Sequence, residues 1–94
     1  MRNTAEMIAM AVGHPTEQIV VEWRENLHTM DMTLYVRHRP SKTQVVITGC
    51  LLRPIEINPD EVGMLYRYVA QPGQTVELTY DIAQKTIQFL KETE

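Results

Sequence analysis

The side chains able to do chemistry are few and scattered. Cys50 is the only thiol. It sits within the apolar run from Thr43 to Leu52, which predicts burial and a raised pKa, the opposite of what a reactive thiolate needs. The three histidines, His14, His28 and His38, have neither the i, i+4 nor the i, i+2 spacing of a ligand pair. His28 and Asp31 flank Met30, with Met32 just beyond, and thioether sulfur suits copper. A turn is enough to gather those residues, and no metal site is expected. Asp60 and Glu61 are paired carboxylates of the kind used in acid–base work. They follow Asn58-Pro59 directly, which already accounts for them as acids of a helix's first turn. No phosphate loop, dinucleotide fingerprint, zinc-helix motif or nucleophile elbow is present. Without closely spaced glycines, backbone amides cannot crowd round a phosphate. The expectation is a non-enzymatic protein with no cofactor.

Charge is more informative than any single residue. The chain of 94 residues carries a formal net charge of −3. Residues 1–31 sum to −3, residues 32–53 to +4 with no acid at all, and residues 54–94 to −4. The basic centre holds Arg37 and Arg39 on one strand face with Tyr35, and Lys42 in the following turn. Such a surface reads as an ordinary solvated strand face, whose charges discourage edge-to-edge aggregation, or as a protein-partner surface. A tyrosine between arginines also suits nucleic acid, with the ring stacking a base while the guanidiniums hold phosphates. Two arginines and a lysine are a minimal footprint, and an overall acidic domain gains no long-range attraction to a polyanion.

A second nucleic-acid reading starts at the amino terminus. Ala9, Gly13 and Ile19 fall at the small-residue, glycine and aliphatic positions of the helix-turn-helix pattern, which this segment resembles. The resemblance implies a recognition helix over residues 16–26. That helix would carry Glu17, Glu22 and Glu25 against Arg24 alone, a net negative face towards phosphates.

The elements that position these residues are readable from periodicity. Asn3 and Glu6 form a capping-box pattern, Ala5, Ile8, Ala9 and Val12 make one apolar face, and Gly13 with Pro15 supplies the stop, so a helix is expected over 4–12. Met7 and Met10 leave that helix apolar on further sides, and their adaptable thioethers mark it as a partner or dimer surface. Residues 16–28 read either as a strand with Ile19, Val21 and Trp23 on one face, or as a helix, with β-branched content favouring the strand. Met32, Leu34 and Val36 alternate with polar residues from Asp31 onward, and a second strand returns from Thr43 to Leu52. That strand is apolar on both faces, which predicts a central strand covered on both sides. Residues 55–57 read as a short continuation. Asn58 as cap, Pro59 at the first helical position and the spacing of Val62, Leu65, Tyr66 and Val69 define a helix over 59–70. Val76, Leu78 and Tyr80 alternate with polar residues. Residues 82–91 suit either a hairpin return or a C-terminal helix.

The composition, 44% hydrophobic and 22% charged, is that of a globular domain. The expected fold is α+β: one domain over 1–94, a mostly antiparallel sheet of about four to five strands, and two helices. One cysteine excludes an internal disulfide and fits a cytoplasmic setting, and no apolar run reaches membrane-span length. The expected function is protein–protein interaction, as an accessory subunit, regulator or inhibitor, with self-association into a homo-oligomer. Nucleic-acid binding through residues 35–42 is the alternative.

Overall fold

A computed structural model describes residues 4–50 and 58–93. The element order is α1 (Thr4–Val12), a single 3-10 turn (Thr16–Gln18), β1 (Ile19–Asn26), β2 (Asp31–His38), β3 (Thr43–Cys50), α2 (Pro59–Val69), β4 (Thr75–Thr79) and α3 (Tyr80–Glu92). The α+β expectation holds. The four strands form one sheet in sequence order, antiparallel from β1 to β2 and from β2 to β3, then parallel from β3 to β4. A parallel neighbour cannot be reached by a hairpin, and α2 occupies the crossover that it requires.

Within residues 16–28 the strand reading holds over Ile19–Asn26, after the 3-10 turn at Thr16–Gln18. β1 pairs with β2 from Ile19–His38 to Asn26–Asp31, so the segment that would serve as a recognition helix is extended and the helix-turn-helix reading falls. Its β-branched residues find a hairpin partner, which outweighs the weaker helical spacing. At the carboxyl end the helical reading wins. Thr79 Oγ1 accepts from the Ile82 amide at 3.3 Å and starts α3 where a hairpin loop was the other choice. The molecule therefore has three α-helices rather than two, and four strands among the described residues. α2 begins as anticipated, with Asn58 Oδ1 accepting from the Asp60 amide at 2.9 Å. The Asn3 half of the amino-terminal capping pattern, the strand end at Leu51 and Leu52, and the continuation at 55–57 lie outside the described residues.

The helices pack on one face of the sheet. Ile8, Ala9 and Val12 of α1, Val62, Leu65 and Tyr66 of α2, and Ala83 and Ile87 of α3 bury against Ile19, Leu34, Val36, Val45 and Ile47. Gly63 is no turn residue, although its type suggests punctuation. It lies inside α2, where an added Cβ would fall on the Ala11 Cβ and 2.7 Å from the Ala11 carbonyl carbon. The two helix backbones can approach this closely because a side chain is missing there.

The opposite sheet face carries no described helix. Register places four rows across it: Val20, Arg37, Gln44 and Thr75; then Glu22, Tyr35, Val46 and Glu77; then Arg24 with Thr33; and Thr48 with Thr79. Val46 is buried nevertheless, and it stands apart from the core cluster on the helix side. Tyr35 and Glu77 are its cross-strand neighbours.

Candidate partner-binding groove

The basic residues singled out by sequence are brought together, apart from the tyrosine. Arg37 lies opposite Gln44, and Gln44 opposite Thr75, so three strands supply one row. Arg39 and Lys42 enter from the β2–β3 turn and close its end. These five residues line an open groove of about 570 Å³. Among the described residues the ion pairs are Arg24–Glu22 and Lys91–Glu61, so none of the three groove cations is neutralised by one of those acids.

The turn that presents Arg39 and Lys42 is fixed from below. Lys42 adopts a left-handed backbone with φ of 56°, and its amide donates to the Arg39 carbonyl at 3.2 Å. The Gly73 amide donates to the Ser41 carbonyl at 2.9 Å, tying the turn to the α2–β4 connection. Thr43 Oγ1 donates to the Gln71 carbonyl at 3.2 Å on the same connection. Beneath the turn, His38 is buried with a partner at each ring nitrogen: Ser41 Oγ 2.6 Å from Nδ1 and Gln18 Oε1 3.0 Å from Nε2. The Ser41 hydroxyl donates onward to Thr43 Oγ1, 2.8 Å away, and the tautomer of the ring sets which of its nitrogens donates. His14 stacks on the His38 ring at a centroid distance of 3.7 Å. Burial, and then the charge of His14 across the stack, hold the His38 pKa below the ordinary histidine value. Tyr66 is also buried, which pushes its pKa up, while Thr43 and Ser41 against its hydroxyl pull the other way.

Sequence reasoning treated His38 only as an unpaired histidine. A signal was present: His38 continues the alternation of Leu34 and Val36 and therefore had to face the core. Its partners Gln18 and Ser41, and the stacked His14, lie outside β2 and carry no local signature.

Tyr35 shares the face with Arg37 yet is not part of the groove. The Arg24 Cζ lies 4.3 Å from the centre of its ring, and Arg24 Nε is bonded to Glu22 at 3.1 Å. The hydrogen bond and charge of Glu22 push the Arg24 pKa above its ordinary value. The tyrosine ring is thus already covered by a cation. Its row runs Glu22, Tyr35, Val46, Glu77 and so carries an acid at each end, and the basic surface ends where that row begins.

Met7 and Met10 are exposed, at 41% and 58%. They belong to α1 and so lie in the helical layer, across the sheet from Arg37. Cys50 is buried, and burial followed by the nearby charge of Asp31 raises its pKa. Among the described residues no group of His, Cys, Asp or Glu is arranged to hold a metal ion, and no helix is long and apolar enough to cross a membrane. Comparison with protein-family models, with curated proteins and with solved structures finds no match to this chain.

Proposed function

We infer that this is a non-enzymatic interaction domain whose groove of Arg37, Arg39, Lys42, Gln44 and Thr75 receives a short acidic segment of a partner protein. The observation that supports the reading is three cations, none paired with an acid among the described residues, converging on one groove built on a hydrogen-bonded turn. Acidic side chains or a terminal carboxylate can take bidentate bonds from the arginines, while Gln44 and Thr75 offer neutral polar contacts. The neighbouring row favours a short protein segment over a nucleic-acid strand. A strand running across the sheet would meet Glu22 and Glu77, and Tyr35 already stacks with Arg24. Action as a regulator, inhibitor or accessory subunit fits this reading, and the lone buried cysteine fits a reducing, cytoplasmic setting.

The test compares affinity capture from the native source by the wild-type chain and by an Arg37→Ala, Arg39→Ala, Lys42→Ala variant, with bound proteins identified by mass spectrometry. A specific protein lost with the variant, and released as salt rises, supports the reading. Identical capture by both chains overturns it. So does retention of single- or double-stranded nucleic-acid probes at low salt that the same substitutions abolish.

A further inference from the structure

β1 is an edge strand: β2 pairs along its whole length, and no described strand lies on its other side. Which of its backbone groups are unsatisfied can be worked out. The Arg39 amide donates to the Gln18 carbonyl at 2.9 Å, one step beyond the Ile19–His38 pair. Hydrogen-bonded and non-bonded pairs alternate along an antiparallel ladder. Val20, Glu22, Arg24 and Asn26 therefore bond to β2, whereas Val21, Trp23 and Glu25 turn their N–H and C=O groups outward, the Ile19 amide being taken by the Thr16 carbonyl. This edge of 8 residues has no proline, no lysine and no register shift against β2, and of the devices that protect an edge it carries only the charges of Glu22, Arg24 and Glu25.

We propose that β1 pairs antiparallel with β1 of a second copy about a two-fold axis at Trp23, joining two sheets into one. The register follows from three constraints. An axis between residues would set outward groups against inward ones and helix-face side chains against open-face ones, so the axis passes through a residue. An axis at Glu22 places that glutamate opposite itself, and an axis at Arg24 does the same for the arginine. An axis at Trp23 places Glu22 opposite Arg24 of the second copy, twice by symmetry, and keeps the overlap from Val20 to Asn26. Glu22 and Arg24 then form a non-bonded pair on the new ladder, where facing side chains stand closest. Val21 and Glu25 exchange backbone bonds across the axis. Trp23, half-buried on the helix face, meets its own copy as an aromatic cross-strand pair. The surface is separate from the basic groove and stands without it.

Sedimentation of the full chain over a wide concentration range tests the proposal. The wild type is expected to pass from monomer to dimer. Val21→Pro removes an outward N–H without touching the β1–β2 ladder, and is expected to stay monomeric with an unchanged circular dichroism spectrum. Glu22→Arg and Arg24→Glu are each expected to raise the dimer dissociation constant about tenfold through like-charge contacts. Combining the two substitutions restores opposite charges and should return the constant to within about twofold of wild type. A wild type that is monomeric throughout, a dimer untouched by Val21→Pro, or a double variant no tighter than the singles overturns the proposal. Should Val21→Pro fail to fold, the charge exchange still decides.

Discussion

His38 is held at both ring nitrogens, stacked on a second histidine, and buried under the turn that carries Arg39 and Lys42. Its pKa is lowered in the folded chain, so the unfolded chain binds the proton more readily. By linkage, stability is intact above the unfolded histidine value near 6.5 and declines as pH falls through that value towards the lower folded one. Urea denaturation from about pH 7.5 to about pH 5 should show this decline. A His38→Gln variant should be less stable by about 1–3 kcal/mol at neutral pH and flatter across that window. An equal pH slope in wild type and variant would remove His38 as its source. The residue scale also shows what one-dimensional reading can reach. Arg37, Arg39 and Lys42 were legible because no acid lies among them in the chain. The covering of Tyr35 by Arg24 was not, because it depends on the β1–β2 register.

Among the elements, the contact of α1 with α2 has the most exposed assumption, since it depends on a side chain that is missing. Replacing glycine by alanine in a helix interior ordinarily stabilises by about 1 kcal/mol. At Gly63 the sign should reverse. The new methyl would fall on Ala11 and lie 2.7 Å from its carbonyl carbon, and overpacking of this kind costs about 1–3 kcal/mol. The urea midpoint of Gly63→Ala is expected to drop, and adding Ala11→Gly should recover only part of the loss because the Ala11 backbone stays close. A Gly63→Ala midpoint at or above wild type would show that the helices separate freely. Elements with a complete local signal were readable in advance. The alternation of β2, the Asn58-Pro59 start of α2 and the alternation of β4 each announce themselves within a few residues. Where two periodicities coexist, local signal does not decide. Within 82–91 the large apolar residues Ile82 and Phe89 are exposed, and Ala83 and Ile87 are the ones buried. The choice was made by the Thr79 cap and by packing on β3 and β4.

Among the described residues the sheet separates two surfaces: helices and core on one side, and on the other a face with one basic end and no helix. The net charge of −3 is thus a cancellation with a spatial form. In the β1–β1 dimer both open faces lie on the same side, and antiparallel pairing sends the two basic ends to opposite corners. Strand spacing and rise set the grooves on the order of 30 Å apart. A partner displaying its acidic segments at comparable spacing would be held at both grooves, and avidity would slow its release without any new contact. The captured partner, immobilised at high and low density, makes this measurable. At low density the wild type and Val21→Pro should dissociate alike. At high density only the wild type should slow, by about a hundredfold where both grooves engage. Equal slowing of the Val21→Pro chain would show that self-pairing and groove binding are uncoupled.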